Sequence, residues 1–233
     1  MKWADDNILN VGSAGIAHTL KQEKHMFFFH IEQGRAFAIR LFYRYHKGGF
    51  LNMAERLVGK PAPDFTMETV LGDGSDFSKV SLSDYRGKWL VFFFYPLDFT
   101  FVCPTEITAL SEAASQFRAL DAEILGVSTD SIHSHKAWIN TPTDANGLGK
   151  INFPLASDIT RSVSKDYGVY IEEEGVALRG LFIINPEGEL KYQVVNHNDI
   201  GRSVEETLRV LQALQSGGLC AMNWKPGDKN LVV

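Results

Sequence analysis

The segment that most constrains this chain is the apolar run Trp89-Leu90-Val91-Phe92-Phe93-Phe94-Tyr95. It reads as a buried strand, and it is far too short for a membrane span of roughly 20 residues. Directly after it comes Pro96-Leu97-Asp98-Phe99-Thr100-Phe101-Val102-Cys103-Pro104-Thr105-Glu106. From Thr105 to Leu120 the apolar residues Ile107, Leu110, Ala114 and Phe117 fall at helical spacing. The strand therefore delivers one thiol, Cys103, to a helix start. A thiolate is the reactive form of cysteine, and free N–H groups at a helix N-terminus favour its charge, so oxidant chemistry is the first expectation.

The pattern around this junction is that of an α/β domain. Val58 to Phe65, with Pro61 and Pro63, is an entry segment, and Ser81 to Lys88 a loop or short helix leading into the Trp89 strand. Glu123 to Ser128 is a strand, Ile132 to Asn140 a helix, Phe153 to Ala156 a short strand and Arg161 to Tyr167 a helix. Leu178 to Ile184 and Glu189 to Val195 flank Asn185-Pro186-Glu187-Gly188 and predict an antiparallel hairpin, so the sheet is mixed. Ser203 is an N-cap with Glu206 at the reciprocal capping position; Val204, Leu208, Leu211 and Leu214 form the buried stripe, and Gly217-Gly218 ends the helix.

Residues 1–52 differ from the rest. Lys2, Lys21, Lys24, Arg35, Arg40, Arg44 and Lys47 outnumber Asp5, Asp6, Glu23 and Glu32, so this head is basic while the whole chain carries a net charge of -5. It holds His18, His25, His30 and His46 in no recognised metal spacing, and shows little periodicity outside Ala36 to Tyr45. Lys47-Gly48-Gly49 can be encoded by a purine-rich bacterial ribosome-binding sequence, with Phe50-Leu51-Asn52 as the spacer before Met53. The expectation for a bacterial source is that residues 1–52 are an atypical extension of translated upstream sequence and that the working domain is 53–233. The rival reading is an amphipathic N-terminal arm; the intact mass of the natural protein decides between them.

With 45% hydrophobic and 22% charged residues, the composition is that of a soluble globular protein. The acidic balance gives no pull toward nucleic acid or anionic membrane. The N-terminus lacks the pattern of a secretory signal, so the expected location is cytoplasmic, where two cysteines seldom form a structural staple.

Several residues fit peroxide chemistry at Cys103. Arg179 lies on the Leu178 to Ile184 strand, and its guanidinium stays charged when partly buried and can also bond a peroxide oxygen. Thr100, three residues before the thiol, would present its hydroxyl on the same side of a helical turn. Pro96 ends the strand without adding an N–H donor. Glu106 either orients the arginine or belongs to a solvated helix face. His133 and His135 lie two apart but have no further metal ligands nearby in sequence, and Trp138 reads as core.

Pro96, Thr100 and Cys103, in P-x-x-x-T-x-x-C spacing, resemble the peroxiredoxin active-site motif. Phe92 to Glu106, Ala137 to Asn140, Ala177 to Ile184, Gly217-Gly218-Leu219-Cys220 and Trp224-Lys225-Pro226-Gly227 likewise resemble typical two-cysteine peroxiredoxins. The resemblance covers nearly all of the chain from Met53 onward. It implies a thioredoxin-like α/β fold, a mixed central sheet flanked by helices, with a C-terminal tail exchanged in a dimer. It implies a thiol peroxidase acting on hydrogen peroxide and alkyl hydroperoxides without haem or metal. Cys103 would become a sulfenic acid, and Cys220 of the partner subunit would resolve it as an intersubunit disulfide. A thioredoxin-type protein or a flavoprotein disulfide reductase would then return both thiols in a homodimer that can assemble into a decamer. Because a disulfide needs Cα atoms within about 7 Å, the Cys103 helix is expected to unwind in each cycle.

Two departures stand out. Asn146-Gly147-Leu148-Gly149 replaces the first glycine of the Gly-Gly-Leu-Gly run of peroxide-sensitive relatives, and after Asn230-Leu231-Val232-Val233 no helix bearing their Tyr-Phe pair follows. The expectation drawn from both is resistance to overoxidation. Two other functions compete with the peroxidase. A thioredoxin-like disulfide reductase would normally carry Cys-x-x-Cys, which Cys103 lacks. An oligomeric chaperone or redox-signalling role cannot be separated from peroxidase activity on sequence.

Overall fold

The structure is a computed structural model that describes residues 28–32, 35–39 and 56–232. The chain divides into two units, 1–53 and 54–233. In the first, β1 (Phe28–Glu32) pairs antiparallel with β2 (Arg35–Ile39), a hairpin that the weak periodicity of the head did not announce. The stretch from Lys47 to Met53 and the histidines His18, His25 and His46 lie outside the described residues.

The second unit is built on a mixed seven-stranded sheet flanked by helices. Its strands are β3 (Thr66–Val70), β4 (Phe77–Ser81), β5 (Trp89–Phe94), β6 (Ala122–Ser128), β7 (Leu155–Ser157), β10 (Arg179–Ile184) and β11 (Leu190–Asn196), in the order β11-β10-β5-β6-β7-β3-β4. β8 (Tyr170–Ile171) and β9 (Val176–Ala177) pair separately. The helices are α1 (Val102–Glu112), α2 (Ala114–Ala119), α3 (Ile132–Asn140), α4 (Ser162–Asp166) and α5 (Val204–Gln215).

β5 is the axis of this arrangement. It pairs parallel with β6 and antiparallel with β10, so neither edge is free, and both of its faces are covered. Successive strand side chains point to opposite faces. Val91, Phe93 and Tyr95 accordingly join Cys103, Ile107, Phe117, Trp138 and Leu211 in one apolar layer, while Leu90, Phe92 and Phe94 join Phe65, Tyr167 and Phe182 in the other. That two-sided burial is why the strand is continuously apolar rather than alternating.

The antiparallel register sets Leu181 opposite Phe93, which carries Arg179 to the end of β5 where the Cys103 loop departs. The next residue on β10 is a glycine of necessity. A Cβ on Gly180 would lie 2.6 Å from Val169 Cγ1 and 2.9 Å from the Phe182 ring.

The structure departs from the sequence reading at three places. β3 and β4 were not foreseen, because Thr-Met-Glu-Thr-Val and Phe-Ser-Lys-Val-Ser carry too few apolar residues to stand out; β3 buries Met67, Thr69 and Val70, and β4 lies at the sheet edge. The helix expected from Thr105 begins at Val102 and is interrupted at Ala113. The capping box on α5 is half made: Ser203 Oγ accepts from the Glu206 N–H at 3.1 Å, but the Glu206 carboxylate accepts from Arg209 instead, at 2.6 and 2.7 Å.

Candidate active site

Cys103 is the second residue of α1 and is fully buried, at 0% exposure. The first helical turn places its sulfur where unpaired backbone N–H groups concentrate partial positive charge. Pro96, buried at the end of β5, starts the loop that leads to it.

Two arginines and a glutamate meet at this thiol. Arg179, 3% exposed, donates from Nη1 to Cys103 Sγ at 3.3 Å and to Glu106 Oε2 at 2.7 Å, and from Nε to the Asn198 carbonyl at 2.8 Å. Glu106, 6% exposed, also accepts from Arg202: the backbone N–H and Nε reach Oε1 at 2.8 Å each, and Nη2 reaches Oε2 at 3.0 Å. Glu106 therefore faces the arginines, one turn along α1 from Cys103, and the solvated-face reading is excluded by its burial. Arg202 further donates to the Phe94 carbonyl at 2.8 Å and to the Gly180 carbonyl, and lies over the Phe93 ring at 5.2 Å. Burial pulls the Arg202 guanidinium below its ordinary value, against the opposing hydrogen bonds and charge of Glu106.

The charge count is informative. Two guanidiniums and one carboxylate leave this dry cluster one positive charge in excess. An uncompensated buried charge is costly, and a Cys103 thiolate is the group in position to balance it.

Thr100 lies before α1, whose N-cap is Phe101, so the helical-turn argument does not apply to it. Its hydroxyl donates to the Leu97 carbonyl at 2.9 Å, which ties its proton to the loop and leaves its lone pairs to accept.

The loop itself is pinned by a buried polar network. Asp98 accepts from Tyr95 Oη at 2.8 Å and Ser134 Oγ at 2.7 Å, and its Oδ2 lies 2.8 Å from His135 Nδ1. His135 Nε2 faces the Ala156 carbonyl at 3.1 Å, so both ring nitrogens meet acceptors. Burial, followed by the Asp98 charge, pushes the Tyr95 phenol well up. The two histidines that looked paired in sequence thus go separate ways, His133 lying outside against the Phe77 ring. Trp138 is core, as expected, and its ring stands 5.9 Å from that of Phe99 in the loop.

Cys220 is half-buried and lies outside this cluster. Its sulfur contacts Ser216 Oγ at 3.4 Å, the Ala213 carbonyl at 3.6 Å and Asn230 Oδ1 at 3.7 Å. The tail closes on itself through a Leu219–Leu231 bridge and is tied to α5 by an Arg209 bond to the Trp224 carbonyl at 2.9 Å. Arg202, Asp98 and His135 were the residues that sequence reasoning missed. Arg202 precedes an N-cap and carries no local sign of its role; Asp98 stood inside the motif and could have been asked for a partner.

A buried cysteine at a helix start, facing a paired arginine on a thioredoxin-like sheet, defines a thiol-based redox protein. Residues 58–193 match the AhpC/TSA family. The chain is 66% identical to "Putative peroxiredoxin YkuU" of Bacillus subtilis, over 77% of this chain and 100% of that protein. It is 52% identical to peroxiredoxin-1 of Gallus gallus, over 78% and 92% respectively. The reduced 2-Cys peroxiredoxin of Plasmodium vivax superposes with a TM-score of 0.73 at 43% identity, covering 75% of this chain and 92% of that one. The chain belongs to the AhpC/TSA family and is a peroxiredoxin, a thiol-dependent peroxidase.

Proposed function

We propose that the protein reduces hydrogen peroxide and alkyl hydroperoxides in a two-cysteine cycle centred on Cys103. The observation that carries this reading is the Arg179 contact of 3.3 Å to the Cys103 sulfur, within a buried cluster whose charge a thiolate completes. The thiolate attacks the terminal peroxide oxygen; an S–O bond forms, the O–O bond breaks, and the departing oxygen takes up a proton and leaves as water or alcohol. Arg179 holds both the thiolate and the peroxide oxygen, Thr100 accepts from the peroxide proton, Pro96 shields the sulfur from water, and Glu106 fixes the arginine. The Cys220 thiolate of the partner subunit then attacks the sulfenic sulfur; the S–S bond forms, the S–O bond breaks, and the departing hydroxide takes up the proton that Cys220 gave up and leaves as water. A thioredoxin-type protein or a flavoprotein reductase supplies two electrons to restore both thiols.

Three further parts belong to this proposal. The working unit is a homodimer with exchanged tails, able to form a decamer. It acts in the cytoplasm, where such reductants operate. Residues 1–52 are dispensable for the chemistry of 53–233. Full burial of Cys103 supports the unwinding step, because a sulfur with no exposure can reach a second cysteine only if its helix opens.

The test is peroxide turnover with thioredoxin and with a flavoprotein reductase, followed by non-reducing mass mapping. The expected product is a Cys103–Cys220 link between two chains, and a Cys103–Cys103 dimer instead would overturn the assignment of Cys220. In Cys220→Ser we expect the first peroxide equivalent to be consumed as in wild type, but thioredoxin-dependent turnover to fall to background and sulfinic acid to build up at Cys103.

A further inference from the structure

We propose that Asn146 is a latch on the Cys103 loop, a positioning residue whose side chain holds the loop closed and sets how fast Cys103 is released toward Cys220. The kinetic consequence rests on the peroxidase reading; the latch itself rests on geometry.

The loop between Pro96 and Cys103 is tied within itself by the Thr100 hydroxyl on the Leu97 carbonyl, at 2.9 Å, and depends on its neighbours for the rest. Helix α1 has Phe101 as its N-cap, which supplies no side-chain bond, so its first turn lacks the bond that a Ser, Thr, Asp or Asn would provide. Phe99 stands at φ 54°, a region that bulky aromatic residues seldom adopt, and is 41% exposed. An uncapped helix start behind a strained residue opens unless neighbouring elements hold it.

Neighbouring elements do so at two successive residues. Tyr95, Ser134 and His135 hold the Asp98 side chain, and Asp130 Oδ2 accepts from the Asp98 backbone N–H at 3.0 Å. Asn146 holds the next residue, donating from Nδ2 to the Phe99 carbonyl at 3.2 Å. The base of this latch is rigid. Asn146 sits at φ 59°, a left-handed position that asparagine tolerates, and its own carbonyl accepts from the indole N–H of the fully buried Trp138 at 3.2 Å. The same tryptophan anchors the following turn, its carbonyl accepting from the Leu148 N–H at 2.9 Å. A glycine at 146 would fit this backbone equally well but has no donor to offer Phe99. The Asn146 departure therefore acts against unwinding, in the opposite sense to the overoxidation resistance expected from it on sequence.

The test compares Asn146→Gly and Asn146→Asp, both compatible with positive φ and both lacking the donor. Amide hydrogen exchange across residues 97–104 of the reduced protein reads loop opening without any peroxide. After one equivalent of peroxide, rapid-quench mapping separates sulfenic acid formation from disulfide formation. Loss of one partly exposed hydrogen bond predicts exchange and disulfide formation faster by about two- to fivefold in both variants, with the rate of sulfenic acid formation unchanged. Unchanged exchange overturns the latch. Acceleration in Asn146→Gly alone assigns the effect to backbone freedom and overturns it equally. Faster exchange with unchanged disulfide formation overturns its control of Cys103 release. Absence of both sulfenic acid and disulfide in the wild type after peroxide defeats the peroxidase reading while exchange still judges the latch.

Discussion

Cys103→Ser is expected to lower reductant-dependent peroxide consumption to background, a fall of at least about 10³-fold, because no other group in the cluster can form the bond to oxygen. Serine matches cysteine in shape and can still accept from Arg179, so the fold should survive. What it cannot do is carry a negative charge against the one excess positive charge of Arg179, Arg202 and Glu106, because a serine hydroxyl stays neutral near pH 7. The measurement is peroxide loss with each candidate reductase, paired with circular dichroism to verify folding. Undiminished turnover in a folded variant would sink the peroxidase cycle. Loss of turnover with intact protection of an aggregating client protein would show that a chaperone function coexists with the enzyme.

The second large effect concerns stability. Glu106 accepts four hydrogen bonds from two arginines in a site closed to water. In Glu106→Ala the two guanidiniums remain buried with only Cys103 to offset them, the situation in which breaking a buried pair costs about 3–5 kcal/mol. For a domain of this size each kcal/mol moves the midpoint by about 2–4 °C, so thermal denaturation should shift down by about 6–20 °C. Glu106→Gln keeps the shape and one acceptor and should fall between the two. A shift below about 2 °C in Glu106→Ala would mean that water replaces the carboxylate and that the cluster is not dry.

The same cluster shows how far the sequence could be read. Cys103 and Arg179 were legible because each sits in a distinctive run: the thiol just past a continuously apolar strand, the arginine at the head of another. Glu106 was legible as a position but not as a role, since the helical pattern cannot say which face meets an arginine lying more than seventy residues later. Arg202 was invisible. It precedes an N-cap serine, where an arginine is unremarkable, and only the return of the chain beside β10 brings it to Glu106. β3 and β4 were lost for a related reason: β4 is the sheet edge and fully buries none of its side chains, and β3 buries only two apolar ones, Met67 and Val70, beside Thr69, so little of their hydrogen-bonded order is written in apolar spacing.

By itself the sequence determined the α/β class, the strand that delivers Cys103 and the helix that receives it, because backbone periodicity and burial are local properties of a dozen residues. It also determined the family, through motifs spread from Phe92 to Gly227. Only the tertiary structure decided what surrounds the thiol: a second arginine, a glutamate turned inward, and an asparagine holding the loop shut. Those partners meet through strand register and chain return, and the energy that fixes them, the cost of leaving a buried charge or polar group unpaired, exists only once water has been excluded.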